Sequence, residues 1–208
     1  SELIIKSLIT ESFEKTDKEL MTKLTNCDDV GSTCTLCFIM KYKTNRIVYV
    51  SNIGDSHCYI VSNKKATRLT AEHKCDNEEE VARLKEKNAL IFQNRMFGQL
   101  ALTRAFCDRK LKPYGLSASP NITTCIIKEK QISTTLIDSM NDSEETEYDI
   151  FIVLASDGIW DVTKESDLMR IFVEEGKGKS TKVLTKEILD FSIKNDSTDN
   201  ISVIVIRL

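Results

Sequence analysis

Two carboxylates follow an apolar run in the last third of this 208-residue chain. Residues 150–155 have the length of a strand and are rich in β-branched and aromatic side chains, which predicts a strand buried on both faces. Asp157 and Asp161 come directly after it, with Gly158 permitting a tight turn between them. A rigid strand that carries acidic groups to its end can hold the oxygen ligands of a hard cation. A turn in which Asp161 caps a following helix fits the same residues, so both interpretations stay open here.

Two more aspartates stand at comparable strand ends. Asp55 follows a glycine between two apolar runs, and Asp199 precedes the last apolar run of the chain. No His or Cys accompanies these acids, and an all-oxygen set of ligands suits Mg²⁺ or Mn²⁺ and not zinc or copper. Burying several carboxylates together without a cation would be costly. The residues predicted to form a Mg²⁺ or Mn²⁺ site are Asp55, Asp157, Asp161 and Asp199.

The elements that would position these acids are predicted from hydrophobic periodicity. Helical spacing predicts helices over residues 4–24, 78–85, 166–174 and 180–193. Apolar or alternating runs predict strands over residues 34–40, 46–53, 57–61, 121–132, 150–155 and 201–206. Because the strands form mostly hairpins and the helices are grouped between them, the pattern favours an α+β sandwich over a doubly wound fold. The length is that of one domain over residues 1–208.

Three connecting or flanking segments carry expectations of their own. The first helix, residues 4–24, is amphipathic and must lie against another part of the protein. Residues 110–120 hold both prolines of the chain and are predicted to form a loop. Residues 138–148 are acidic and lack an apolar pattern, which predicts an exposed, solvated insertion.

The overall composition excludes several classes of function. Apolar residues make up 41% and charged residues 29% of the chain, with a net charge of -3, and no basic cluster suggests a nucleic-acid partner. No apolar run approaches the roughly 20 residues that cross a bilayer, and no signal peptide is present, so no membrane partner is predicted. The seven cysteines are an odd number scattered along the chain. They are expected to be free thiols, which predicts a cytoplasmic or otherwise intracellular location.

Cys34 and Cys37 form a C-x-x-C pair, the spacing found in zinc and redox sites. On a strand, however, side chains three positions apart point to opposite faces, and no second pair or nearby His completes a ligand set. Packing is therefore the favoured interpretation of both cysteines, with a zinc or redox role as the alternative.

Seven blocks of residues occur in an order that resembles the type-2C, metal-dependent serine/threonine protein phosphatase family. Each block is short, but together they extend over nearly the whole chain. The blocks are Gly31-Ser32-Thr33, Gly54-Asp55-Ser56, His73-Lys74, the segment 98–108 with Leu100-Ala101-Leu102-Thr103-Arg104-Ala105, Ser119-Pro120, the segment 155–161, and Thr198-Asp199-Asn200.

The resemblance implies two antiparallel sheets packed face to face, with helices on both outer faces. It implies that Asp157 and Asp199 bind a core pair of cations, and that Asp55 and Asp161, with Asp157, form an outer, weaker cation site. It implies structural roles for Arg104 and His73. The implied activity is hydrolysis of phosphoserine and phosphothreonine in phosphorylated proteins by a metal-activated water, without a phosphoenzyme.

This chain also departs from the family pattern. The first family motifs lie upstream of the first predicted helix and include an arginine that holds the substrate phosphate and an Asp-Gly-His turn; none has a counterpart here. Neither His57 nor His73 follows Asp-Gly. Phe97 and Cys107 replace a small polar residue and a glycine, and Cys75 replaces a proline. The chain as given is therefore expected to be catalytically incomplete.

Two main explanations of these departures remain. The chain is a piece of a complete phosphatase whose N-terminal strands are missing or supplied elsewhere, or it is a pseudophosphatase that binds partners without hydrolysis. The first residue, Ser1 in place of Met, and the cost of uncovered sheet edges favour the first explanation. A non-enzymatic regulatory domain that docks a kinase or adaptor is a third interpretation. A calcium-binding domain is less supported, because the acids are dispersed and do not lie in one loop.

Overall fold

Most of the predicted helices and strands are present. The structure of the protein, a computed structural model, describes residues 2–128, 131–134 and 149–208. The α-helices are α1 (Glu2–Lys23), α2 (Glu78–Lys85), α3 (Asp157–Trp160), α4 (Glu165–Met169) and α5 (Thr181–Lys194). The strands are β1 (Gly31–Ser32), β2 (Cys34–Tyr42), β3 (Asn45–Ile53), β4 (His57–Val61), β5 (Ala66–Arg68), β6 (Ile91–Phe92), β7 (Arg95–Met96), β8 (Phe106–Cys107), β9 (Asn121–Lys128), β10 (Gln131–Thr134), β11 (Phe151–Ala155) and β12 (Val203–Arg207). No helix within the described ranges combines the length and hydrophobicity that a membrane span requires.

Two four-stranded sheets contain the longer strands. One has the order β10, β9, β3, β2, and the other has the order β12, β11, β4, β5. In the second sheet β11 is antiparallel to both neighbours, with Ala155 opposite Val203 of β12 and His57 of β4. Two-stranded sheets join β1 to β8 and β6 to β7. The predicted α+β class, with antiparallel sheets flanked by helices, is confirmed.

The chain divides into two compact units, each made of several segments. Unit 1 contains residues 1–35, 51–55 and 71–122, and unit 2 contains residues 36–50, 56–70 and 123–208. The prediction of one domain over residues 1–208 stays a prediction.

In unit 2 the two four-stranded sheets pack against each other through alternate residues of their strands. On β11 and the residue before it, Ile150, Ile152 and Leu154 join this core, together with residues of β3, β4 and β9. The intervening residues Phe151 and Val153 face the other side. All five residues of β11 are buried, which confirms the predicted strand with two buried faces.

Helices of unit 2 cover the second face of this sheet. Leu168 of α4 and Leu184 and Ile188 of α5 pack with Phe151 and Val153 of β11. A short π-helical segment, Arg170–Glu174, continues α4 and adds two more buried apolar side chains. The core of unit 2 thus has three layers, sheet on sheet and helices on the outer face of one sheet.

In unit 1, α1 lies against the segment of β8. Phe13 of α1 packs on Phe106 with ring centroids 5.5 Å apart. The buried carboxylate of Asp17 accepts a hydrogen bond from the Cys107 N–H and pairs with Lys112 at 2.7 Å. The predicted helix is thus present, but its buried face is narrower than predicted. Leu8 is 55% exposed, and Ile4 and Leu24 of the predicted apolar face are exposed as well.

Two predictions about connections are wrong in detail. Residues 110–120 are not all loop, because a 3₁₀-helix runs over Arg109–Tyr114, with Pro113 inside it. The single strand predicted over residues 121–132 is instead the hairpin of β9 and β10. The acidic loop predicted over residues 138–148 lies outside the described residues.

The expectation of seven free thiols is wrong for one pair. Cys27 and Cys107, 80 positions apart, form a disulfide, and the other five cysteines are free. Cys34 and Cys37 are among the free thiols, and burial raises the pKa of both, in agreement with the packing interpretation. The intracellular location that rested on free thiols stays a prediction.

Candidate metal centre

Asp157 and Asp199 lie on neighbouring segments of unit 2. Asp157 begins α3, two residues after the end of β11, and Asp199 lies four residues before the start of β12. Because these strands are antiparallel neighbours with Ala155 opposite Val203, the chain leaving β11 and the chain entering β12 are at the same end of the sheet. The antiparallel register therefore places both predicted ligands at the same end of the sheet, beyond the end of β11 and the start of β12.

Hydrogen bonds hold these two segments together. The Ser156 hydroxyl donates to the Asn200 carbonyl at 3.2 Å and accepts from the Ser202 N–H at 3.1 Å. The Ser197 hydroxyl donates to the Gly158 carbonyl at 2.6 Å. A Cβ atom at position 158 would lie 2.7 Å from the Asn200 carbonyl oxygen, so the close approach requires glycine. The residues flanking both aspartates are thus in direct contact.

Asp161 lies one helical turn after Asp157. Its N–H donates to the Asp157 carbonyl at 2.8 Å, and it forms the C-terminal cap of α3. Residues four apart on a helix share a face, so the side of α3 that carries Asp157 also carries Asp161. The alternative interpretation of Asp161 as an N-cap is wrong, because Lys164 occupies the N-cap of α4.

The surroundings of these acids fit a cation of the Mg²⁺ type. Asp157 is half-buried, and Asp161 and Asp199 are exposed. Within the described residues, neither Asp161 nor Asp199 forms an ion pair with a Lys or Arg. Mg²⁺ commonly retains several waters and uses one or two protein carboxylates, so a pair of aspartates on adjacent segments fits it in type and number. In the described part of the chain, no three His, Cys, Asp or Glu side chains converge as a fuller ligand set would.

Asp55 lies in unit 1, on a turn that follows β3. Gly54 has φ +92°, and a Cβ atom there would lie 2.3 Å from the Thr33 side chain, so the turn requires glycine. The Asn52 side chain donates to the Ala71 carbonyl at 2.7 Å and accepts from the Ala71 N–H at 3.2 Å. This reciprocal pair fixes the end of β3 immediately before the turn.

His73 holds the same turn from the other side. The ring Nδ1 of His73 accepts a hydrogen bond from the Gly54 N–H at 3.2 Å, and the main-chain N–H of His73 donates to the Gly54 carbonyl at 3.3 Å. Burial lowers the pKa of the His73 imidazole to about 4, and the charge of Arg104 adds to the effect. The neutral ring can therefore serve as the acceptor that the Gly54 N–H needs. The side chain is 1% exposed and acts as a positioning group, in agreement with the structural role that the resemblance implied.

Arg104 belongs to a buried network in unit 1. It pairs with the carboxylate of Glu80 and donates to the Ser119 carbonyl at 3.0 Å. Arg83 and Thr103 donate to the same carboxylate at 2.8 Å and 2.7 Å. Arg104 therefore stabilises the fold around α2, as the resemblance implied.

Three residues of unit 1, Asn52, Lys74 and Glu80, form contacts that their local sequence does not indicate. Asn52 is a buried polar residue inside an apolar run, and that contrast was the available signal. Lys74 was noted as part of a family block, but without a role. Glu80 was assigned only to a helix, because nothing in the local sequence shows that Arg104 lies against it.

Comparison with known proteins places the chain in a family. The model of the family "Protein phosphatase 2C" matches residues 4–201. Protein phosphatase 2C homolog 1 of Schizosaccharomyces pombe is 31% identical over an alignment of 210 positions that covers 99% of this chain and 53% of that protein.

Solved structures are similar over most of the chain. A Caenorhabditis elegans sex-determining protein superimposes with a TM-score of 0.73 and 28% identity, over 94% of this chain and 45% of that one. A serine-threonine phosphatase 2C from Toxoplasma gondii gives a TM-score of 0.71 at 21% identity, over 99% of this chain and 67% of that one. The second similarity shows the fold alone.

The chain spans about half the length of the curated relatives it matches. The family match nevertheless includes the β3 turn with Asp55, the β11 edge with Asp157 and Asp161, and the segment of Asp199. The chain belongs to the protein phosphatase 2C family.

Proposed function

We propose that this chain is part of a metal-dependent protein phosphatase that hydrolyses phosphoserine and phosphothreonine in phosphorylated proteins. The observation that supports the proposal is the hydrogen-bonded contact between the segments of Asp157 and Asp199 at one end of β11 and β12. Family membership supplies the reaction class, and this contact supplies two carboxylates at a solvent-accessible edge.

Asp157 and Asp199 would hold Mg²⁺ or Mn²⁺ in this proposal, with Asp161 as an outer, weaker ligand in unit 2 and Asp55 as an outer, weaker ligand in unit 1. The cation, when bound, offsets the negative charge of phosphate oxygens and activates water. The role of the protein is to hold the carboxylates before the ion arrives. The Ser156 and Ser197 hydrogen bonds do so for the end of β11, and His73 does so for the turn of Asp55.

A second candidate function is supported by the two histidines. Hydrolysis of a phosphoester releases an alkoxide that requires a proton, and histidine is the residue that most often supplies one. His57 is 5% exposed and lies 2.9 Å from the Thr70 hydroxyl, while His73 is 1% exposed and holds Gly54. Both imidazoles are thus buried in structural roles. This favours, as the alternative, a pseudophosphatase that binds a phosphorylated protein, a kinase or an adaptor without turnover.

Hydrolysis of a phosphothreonine peptide with millimolar Mn²⁺ tests the proposal. The wild-type chain is compared with Asp157→Asn, which keeps the shape of the side chain and removes the charge. Asp190→Asn is the matched control, because Asp190 is an exposed residue of α5. We expect weak Mn²⁺-dependent turnover, because the chain as given is expected to be catalytically incomplete. This turnover should be lost in Asp157→Asn, which removes one charge-stabilising group, and should stay unchanged in Asp190→Asn.

Calorimetry of Mn²⁺ binding, taken together with the activity assay, tests the two candidate functions. Mn²⁺ binding without turnover, with the binding lost in Asp157→Asn, would support either an incomplete catalytic centre or a pseudophosphatase. Equal turnover in wild type and Asp157→Asn would contradict both roles of this aspartate. Absence of both binding and turnover would reject the metal centre in this chain.

A further inference from the structure

Lys74 contacts one of the predicted metal ligands. Its Nζ lies 3.4 Å from Oδ2 of Asp55 and 3.5 Å from Oε1 of Glu72. The Asp55 side chain is 12% exposed and the Lys74 side chain 29% exposed. Because both groups are largely removed from water, their attraction is screened less than that of a surface pair.

The backbone fixes both partners of this ion pair. Asp55 directly follows Gly54, which His73 binds through its ring and through its main chain. Lys74 directly follows His73 and forms an antiparallel β-bridge with Leu102. The carboxylate and the ammonium are therefore held close together by the same short segments of unit 1.

This arrangement distinguishes Asp55 from two other predicted ligands. Within the described residues, Asp161 and Asp199 have no Lys or Arg partner, whereas Asp55 has a cation of the protein itself at its carboxylate. A divalent cation that binds Asp55 must compete with this ammonium or lie beside it. Either course lowers the affinity for the divalent cation, because like charges repel.

We propose that Lys74 is the internal counter-ion of Asp55 and sets the affinity with which Asp55, as the outer cation site of unit 1, binds a divalent cation. The inference rests on the proposed function, since it takes Asp55 as a cation ligand. Lys74 is a positioning and charge-setting residue in this account. It keeps the carboxylate neutralised when no divalent cation is present, and it makes occupancy of the outer site depend on a high concentration of free cation.

Binding of Mn²⁺ alone to the full chain tests this inference, with free Mn²⁺ followed by electron paramagnetic resonance. Lys74→Met removes the charge and keeps the length of the side chain. Lys64→Met is the matched control, because Lys64 is exposed in the turn after β4 and the change in net charge is identical. Lys74→Arg retains the charge at the same position. Circular dichroism establishes that each variant folds, and Lys74→Gln replaces Lys74→Met if the latter does not.

We expect Lys74→Met to tighten the weaker Mn²⁺ site by roughly tenfold, as the removal of one nearby positive charge implies. Lys64→Met and Lys74→Arg should bind as the wild type does. The gain should vanish when Asp55→Asn is added, because the carboxylate that Lys74 neutralises is then absent. Calorimetry with the double variant measures this coupling directly.

Three results would overturn the inference. Lys74→Met could bind Mn²⁺ no more tightly than Lys64→Met, or its gain could persist in the Asp55→Asn background. In either case the proposed function stands if Asp157→Asn still loses Mn²⁺ binding and turnover. If no variant binds Mn²⁺, the metal centre of the proposed function and the inference both fail.

Discussion

Glu80 shows how a single buried residue is stabilised by its surroundings. Burial alone would raise the pKa of its carboxyl, but hydrogen bonds from Arg104, Arg83 and Thr103 lower the pKa to about 2. The side chain is 8% exposed, so its charge depends on these donors and little on water. The carboxylate thereby connects α2 to the segments that carry Thr103 and Arg104.

This network predicts a pH-dependent stability. The folded pKa of Glu80, about 2, lies below the unfolded value of roughly 4.3. Its contribution to stability is therefore complete above pH 5 and is lost as pH falls from about 4.3 toward 2. Wild type should exceed Glu80→Gln in free energy of unfolding by about 3 kcal/mol at pH 7, and the difference should shrink toward pH 3. Urea unfolding at a series of pH values measures it.

Glu79→Gln is the control for this series, because Glu79 is the exposed neighbour of Glu80 on α2. We expect its free energy of unfolding to follow that of the wild type within about 0.5 kcal/mol at every pH. A constant difference between wild type and Glu80→Gln from pH 7 to pH 3 would contradict the lowered pKa.

At the scale of secondary structure, β11 is the element on which unit 2 is assembled. It pairs with β12 on one side and β4 on the other, and its two faces join two different cores. The same strand ends at the segment of Asp157. Its burial therefore contributes to stability and also fixes the position of the candidate metal centre.

Isoleucines on neighbouring strands allow a matched test of this role. Ile152 of β11 is fully buried between the sheets, whereas Ile204 of β12 is 60% exposed. Ile152→Ala should lower the free energy of unfolding by about 2–5 kcal/mol, because it removes buried methyl groups and leaves a cavity. Ile204→Ala should cost less than about 1 kcal/mol. Equal losses in chemical denaturation would argue against β11 as the central buried strand.

At the scale of the whole molecule, one covalent link joins distant parts of the chain. The Cys27–Cys107 disulfide connects residues 80 positions apart. It ties the connection after α1 to β8, where β1 also pairs. Cys107 has φ +58°, a conformation that favours glycine, and glycine is the residue that the family resemblance implies at this position.

The link predicts that oxidised and reduced chains differ in stability. Cys27→Ser should lower the free energy of unfolding of the oxidised chain by up to about 4 kcal/mol, because the unfolded chain regains the entropy of an open loop. The free energy of unfolding of Cys107→Gly should fall by about 1 kcal/mol less than that of Cys27→Ser, since glycine relieves the strain of the positive φ. Thermal melting with and without dithiothreitol measures both effects. A wild-type melting temperature that does not respond to dithiothreitol would show that the disulfide is absent in solution.

Short-range patterns predicted much of the fold. The helix over residues 78–85 is α2 with the same bounds, since Asn77 caps it and acidic residues fill its first turn. The strand over residues 150–155 was recognisable because a segment buried on both faces must be apolar throughout. The four aspartates were identified because acids at the ends of apolar runs, two of them next to glycine, are a local feature of the sequence. Their role as ligands stays a prediction.

Features that depend on distant residues were not predictable in this way. The Cys27–Cys107 disulfide joins positions 80 apart, and the contact of Lys74 with Asp55 joins two separate segments. The fold class, the family resemblance and the candidate acids could be predicted from the sequence, because periodicity and residue type are local properties. Which charges and thiols meet depends on the folded chain, because folding brings those partners together and no local spacing encodes them.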